Sequence, residues 1–139
     1  MKKENRRCDH IGILTDRSER LVNFYVTMLG FKKEKEEILA KAIIKQIFGI
    51  SANCKFIRLV MDEVIIEIFE PISSCVHARI NSIIGYNHWG YCVADKKRFI
   101  QSLKRKKVNI IEVKRNEHVV YFVRDPDGNL VEIRNAKKV

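Results

Sequence analysis

The pattern of apolar and polar positions occurs twice along the 139-residue chain. In each half, a strand-like run containing His-x-Gly ends at an Asp and leads into an amphipathic helix. The two runs cover residues 9–16 and 87–95. Three further strands are predicted after each helix, the last two as a hairpin. The sequence therefore predicts an α+β fold of two βαβββ modules, at about residues 9–70 and 86–134, joined by a connector at 71–85.

The helices have recognisable ends. In the first, an apolar face runs from Leu21 to Leu29 and stops at Gly30, and Asp16 with Glu19 resembles a capping box. In the second, Asp95 is the predicted cap of a helix that buries Phe99, Ile100 and Leu103. An additional helix is predicted over Ala40–Phe48, where apolar residues at helical spacing end at Gly49, and we expect it to cover one end of the first sheet. The connector is expected to contain a loop and a short helix.

The hairpins at the end of each half support the duplication. They pair Phe56–Met61 with Val64–Phe69 and His118–Arg124 with Asn129–Arg134. In both, an Asp is followed in the same register by two aliphatic residues, a Glu and an Ile, ending at Ile68 and Ile133. The turn Asp125-Pro126-Asp127-Gly128 is a strong turn signal.

Composition excludes several classes of protein. There are 27 Lys and Arg against 17 Asp and Glu, a formal net charge of +10. The basic residues are spread over several runs without interleaved aromatic residues, so we predict a solvated basic surface and no nucleic-acid partner; steering of anionic substrates is the weaker alternative. No apolar stretch approaches the roughly 20 residues of a membrane span. The four scattered cysteines form no CxxC pair and indicate reduced thiols in a cytoplasmic protein.

Four ionisable residues occupy equivalent positions in the two halves: His10 and Glu67 in the first, His88 and Glu132 in the second. Each alone is more typical of a solvent-facing or hydrogen-bonded side chain. Taken together, a pseudo-twofold axis would bring two imidazoles and two carboxylates to one point. That ligand set suits a divalent transition ion such as Zn, Ni, Co, Mn or Fe.

The chain resembles the vicinal oxygen chelate superfamily, which includes glyoxalase I, methylmalonyl-CoA epimerase and extradiol dioxygenases. The resemblance runs from Asp9 to Ile133. Five segments carry it: Asp9-His10-Ile11-Gly12-Ile13, Phe24-Tyr25 through Leu29-Gly30-Phe31, Ile66-Glu67-Ile68, His88-Trp89-Gly90, and Asp125 through Ile133. It implies a single domain over residues 1–139, in which paired βαβββ modules line one curved cavity, and a homodimer.

The resemblance also implies the chemistry. A divalent ion held by His10, Glu67, His88 and Glu132 would chelate two neighbouring oxygens of a small substrate and stabilise an enediolate or enolate. Glu132 or Glu67 would be the general base. Where bacterial glyoxalases hold glutathione with an Arg and an Asn, this chain has Leu14 and Pro71, which argues against glutathione.

Other activities on the same scaffold stay open at this point. Extradiol dioxygenases and fosfomycin-resistance thiol transferases use three protein ligands, so the fourth at Glu67 favours a lyase or isomerase. Bleomycin-binding members have lost the metal and bind a drug without catalysis. Metal content separates that alternative from an enzyme.

Overall fold

The structure, a computed structural model, describes Cys8 and residues 10–72, 88–115 and 117–136. The chain divides into two compact units, Met1–Ala78 and Arg79–Val139. The predicted connector lies almost wholly outside the described residues, as do Asp9, Cys75 and His77. None of the described helices is long and apolar enough to cross a membrane.

The first unit is a four-stranded mixed sheet with two helices. Its elements in chain order are β1 (Ile11–Leu14), α1 (Ser18–Leu29), β2 (Lys32–Leu39), α2 (Lys41–Phe48), β3 (Cys54–Met61) and β4 (Val64–Pro71). The strands lie in the order β1-β4-β3-β2, with β1 parallel to β4 and the other neighbours antiparallel. The first strand therefore pairs with the last, which is far away in sequence.

The second unit repeats this topology without the additional helix. Its elements are β5 (His88–Val93), α3 (Lys96–Arg105), β6 (Ile110–Arg115), β7 (His118–Arg124) and β8 (Leu130–Asn135). The strands lie in the order β5-β8-β7-β6, and β5 is parallel to β8. The predicted α+β fold and its two βαβββ modules are confirmed.

The sheet of the first unit buries one face against α1, and its other face carries Glu67 together with an apolar cluster at one end. Ile66 and Ile68 of β4 are fully buried, as are Leu21 and Tyr25 of α1. Glu67 lies between the two isoleucines and points to the opposite face, because successive side chains of a strand alternate.

Helix α2 covers part of the face to which Glu67 belongs, as the sequence predicts. Its fully buried Ile44 clusters with Cys54, Phe56 and Phe69. The Phe48 ring packs edge-on to Phe69, with centroids 5.0 Å apart. This end of the face is therefore apolar and closed by the helix.

The helix ends confirm most of the sequence signals and correct one. Gly30 and Gly49 follow α1 and α2 with φ of 85° and 71°, and the Asp95 carboxylate accepts a hydrogen bond from the Arg98 N–H at 3.0 Å. The capping box at Asp16 is wrong. Helix α1 begins only at Ser18, and its first N–H donates at 3.0 Å to the carboxylate of Glu70, which comes from β4.

Candidate metal-binding residues

His10 and Glu67 meet on one face of the first sheet. Strand β1 runs parallel to β4 in a register that puts Gly12 opposite Glu67, and His10 precedes Gly12 by two residues on the same face. The imidazole Nε2 lies 3.4 Å from Glu67 Oε2. The carboxylate is 14% exposed and the imidazole 44% exposed. The pairing of the first two predicted ligands therefore follows from the strand register.

His88 and Glu132 repeat this arrangement in the second unit. Gly90 lies opposite Glu132 in the parallel β5–β8 pair, with His88 two residues before the glycine. His88 Nε2 lies 3.5 Å from Glu132 Oε2. The two units thus build the same His–Glu pair with the same strand offset and nearly the same separation.

The glycine beside each glutamate leaves space on this face and is not required by the backbone. Neither Gly12 nor Gly90 has a positive φ. A Cβ at Gly12 would meet only ordinary contact, 3.9 Å from Phe69 Cε2, and one at Gly90 would lie 3.9 Å from Arg134 Cδ. The repeated glycine therefore keeps the surface next to each carboxylate clear of side chain.

The donor chemistry of each pair fits a divalent transition ion. Imidazole nitrogen and carboxylate oxygen bind such ions at about 2.1 Å, and two ligands at a tetrahedral angle then lie roughly 3.4 Å apart. The observed separations are 3.4 and 3.5 Å. Among the described residues, no three or more His, Cys, Asp or Glu side chains are grouped closely enough to hold an ion. Each unit thus presents two donors, and the set of four stays a prediction.

The cross-strand neighbours of the two glutamates differ. Arg58 of β3 lies opposite Glu67, and its Nη2 donates to Glu67 Oε1 at 3.1 Å. The equivalent neighbour of Glu132 is Phe122 of β7, whose ring packs edge-on to the His88 ring at 5.1 Å. One oxygen of Glu67 is therefore held by a cation, while the second unit has an aromatic ring in that place.

A second arginine, Arg134, lies near Glu132, at a longer distance than that between Arg58 and Glu67. Arg134 Nη1 is 3.8 Å from Glu132 Oε1, and the arginine side chain is 65% exposed. An ion pair at this distance and exposure contributes little, because solvent screens the charges. Glu132 is thus less restrained than Glu67.

The turn before β8 is built around Asp125 and sets the start of the strand that carries Glu132. Asp125 is buried, and its Oδ1 accepts hydrogen bonds from the Asp127 and Asn129 N–H groups at 3.0 and 2.9 Å. Its Oδ2 accepts one from Asn129 Nδ2 at 2.8 Å. The predicted turn is observed, and the buried Asp125 carboxylate accepts hydrogen bonds from two backbone N–H groups of the turn.

Three other candidate residues do not belong to the His–Glu pairs. Glu70, on the face opposite Glu67, is bound to the start of α1. His118 is exposed at the first position of β7. Cys92 is an exposed free thiol on the His88 face of β5.

Sequence comparison assigns the family. The model of the Glyoxalase/Bleomycin resistance protein/Dioxygenase superfamily matches residues 7–133. The chain belongs to this superfamily. The match contains both His–Glu pairs, and the resemblance inferred from the motifs is confirmed. No curated protein matches the sequence.

Solved structures share the fold of this glyoxalase-superfamily protein at low sequence identity. A glyoxalase family protein from Bacillus cereus is 15% identical with a TM-score of 0.72, over 95% of each chain. One from Enterococcus faecalis is 20% identical with a TM-score of 0.70, over 93% of this chain and 97% of that one. The trypanothione-dependent glyoxalase I of Leishmania major is 23% identical with a TM-score of 0.64, over 94% of this chain and 87% of that one. At these identities the likeness establishes the fold.

Proposed function

We propose that this protein is a metal-dependent lyase or isomerase of the glyoxalase type. The observation that carries the proposal is the repetition of one His–Glu pair, with Nε2–Oε2 distances of 3.4 and 3.5 Å, at the same strand offset in both units. The sheets do not require a glutamate between aliphatic neighbours in each unit, because a largely buried carboxylate costs free energy unless it has a partner.

The ligands in this proposal are His10, Glu67, His88 and Glu132. When bound, a divalent ion would supply Lewis-acid polarisation of two neighbouring substrate oxygens. Glu132 is assigned as the general base that takes a proton from the adjacent carbon, because its carboxylate is the less restrained of the two. Glu67, with one oxygen held by Arg58, is assigned a fixed role as ligand.

The substrate in this proposal is a small oxygenated molecule, and its reaction does not use glutathione as a cosubstrate. Leu14 and Pro71 stand where a glutathione-dependent bacterial enzyme would present polar groups, and neither side chain carries a donor or an acceptor. Hemithioacetals and methylmalonyl-CoA are the first compounds to assay. The homodimer implied by the family resemblance stays part of the proposal.

Metal titration tests the proposal directly. Metal-free protein is titrated with Ni²⁺, Co²⁺, Zn²⁺ and Mn²⁺ by calorimetry, and bound metal is counted after dialysis. We expect about one ion per chain, and a loss of affinity of at least tenfold in His10→Ala and in His88→Ala. His118→Ala, which removes an exposed histidine, is the matched control. Two independent ions per chain, or affinity unchanged in both variants, would contradict the four-ligand set.

A non-enzymatic binding protein is the second candidate, and one contact favours it. The Arg58 guanidinium already offsets the charge of Glu67 at 3.1 Å, so this carboxylate does not depend on a metal for compensation. Protein that takes up none of the four metals and binds a small molecule without turnover would support this alternative.

A further inference from the structure

We propose that Arg58 is a specificity-determining residue that selects substrates in which a carboxylate supplies one of the two chelated oxygens. The substrate class is a small acid with a second oxygen on the carbon next to its carboxyl group. This inference rests on the proposed function, because it concerns the substrate of that same site.

The position of Arg58 is the first observation. It lies directly opposite Glu67 in the β3–β4 ladder, on the face that also carries His10, and its side chain is 34% exposed. A charged residue within the otherwise apolar stretch from Phe56 to Val60 is costly unless it has a partner. Arg58 is therefore placed where it reaches both the glutamate and the open surface beside it.

The donors of Arg58 are the second observation. A guanidinium has five N–H groups in a planar fork, suited to holding a carboxylate with two parallel hydrogen bonds. Nη2 donates to Glu67, while Nε is buried and has no hydrogen-bond partner among the described residues. Glu67 therefore does not use the whole donor capacity of the fork.

Charge balance is the third observation. Arg58, hydrogen-bonded to Glu67 at 3.1 Å, already neutralises that carboxylate, whereas the exposed Arg134 compensates Glu132 only weakly. A divalent ion then has only the charge of Glu132 to offset it, and a positive charge is left uncompensated. An anionic substrate restores the balance, whereas a neutral one does not.

The difference between the units is the fourth observation. The position of Arg58 is occupied by Phe122 in the second unit. Metal binding by two equivalent His–Glu pairs does not require an arginine that is hydrogen-bonded to only one of the two glutamates. The asymmetry fits a role toward a substrate whose ends differ, with its anionic end at Arg58.

Oxamate and oxamide provide a matched pair of probes, because both carry two adjacent oxygens and differ by one negative charge. They are titrated by calorimetry into Co²⁺-saturated protein, after the Co²⁺ affinity of each variant has been measured. The variants are Arg58→Gln, Arg58→Lys, and Arg20→Gln as a control that removes an exposed arginine from α1 of the same unit. Thermal unfolding confirms that each variant is folded.

We expect Arg58→Gln to weaken oxamate binding by roughly tenfold, the effect of one charge-assisted hydrogen bond, and to leave oxamide binding unchanged. Arg58→Lys should recover part of the oxamate affinity, and Arg20→Gln should behave as the wild type. Equal losses for both probes would assign Arg58 to supporting Glu67 alone, and an unchanged oxamate affinity would also overturn the inference. Wild-type protein that binds no Co²⁺ would instead defeat the proposed function, and this inference with it.

Discussion

Glu70 accepts a hydrogen bond from the Ser18 N–H at 3.0 Å, across 52 positions of sequence. The carboxylate lies at the N-terminus of α1, where the orphan N–H groups and the helix dipole favour a negative charge. It takes the place of a local cap, since Arg17 provides no side-chain hydrogen bond there. This contact fixes the start of α1 to β4, the strand that also presents Glu67.

Removal of this tertiary cap should destabilise the fold. Glu70→Ala is expected to lower the free energy of unfolding by about 1 kcal/mol, a value typical of a lost N-terminal cap. Urea denaturation measures the change. Glu63→Ala, at an exposed turn position, is the control and should have a smaller effect. Equal stability of the two variants would show that the Glu70 contact contributes nothing.

Replacement by alanine should leave stability nearly unchanged at one glycine and lower it at another. Gly12→Ala is expected to change stability by less than about 0.5 kcal/mol, because an added Cβ meets only ordinary contact and φ is not positive. Gly30→Ala, at φ 85°, should cost about 1–2 kcal/mol, since L residues are strained there. Thermal or urea unfolding separates the two. A strongly destabilised Gly12→Ala variant would mean that this glycine is needed by the fold.

Glu132→Gln should separate catalysis from metal binding. The amide cannot accept the substrate proton, so turnover is expected to be lost, while the amide oxygen and the other three proposed ligands retain much of the metal affinity. Activity on any accepted substrate and bound metal are measured on the same preparation, with Glu67→Gln as the companion variant. Full activity in Glu132→Gln would remove this residue from the base role.

The Cys54 thiol should be inert in the folded protein. Burial, with a contribution from the Glu70 charge, raises the pKa of Cys54 to about 11. At pH 8 its thiolate fraction is then roughly a hundredfold below that of an ordinary thiol, and the side chain is fully buried. Alkylation followed by peptide mapping should label the exposed Cys8 and Cys92 first.

The raised pKa of Cys54 should also make the free energy of unfolding depend on pH. The folded state holds the thiol proton more tightly than the unfolded chain does, so stability should fall as pH rises from about 9 through 11. Cys54→Ala should remove this contribution to the slope of unfolding free energy against pH. An unchanged slope in that variant would argue against the raised pKa.

The repeat made much of the fold and of the site predictable. Since His10 and His88 stand two residues before a glycine in equivalent strands, their pairing with Glu67 and Glu132 followed once the strands were aligned. The cap of α1 did not follow, because its acceptor is supplied by tertiary structure and no local pattern marks it.

Arg58 was missed for a different reason. A search for duplicated residues passes over it, because Phe122 holds the equivalent position. The available signal was the hairpin register. The tight turn at Asp62 and Glu63 pairs Met61 with Val64, and counting back along both strands places Arg58 opposite Glu67.

Strand β2 has a consequence for how the protein behaves at high concentration. It is one of the two edge strands of the first sheet, and its first five residues, Lys32 to Glu36, are all exposed. Lys33 forms an ion pair with Glu36 along the strand, and Lys35 Nζ lies 3.1 Å from Glu37 Oε1. An edge so densely charged resists addition of another chain's strand. The charged residues of β2, three lysines balanced by three glutamates, therefore serve to prevent edge-to-edge aggregation. Replacing these lysines with apolar residues should promote it.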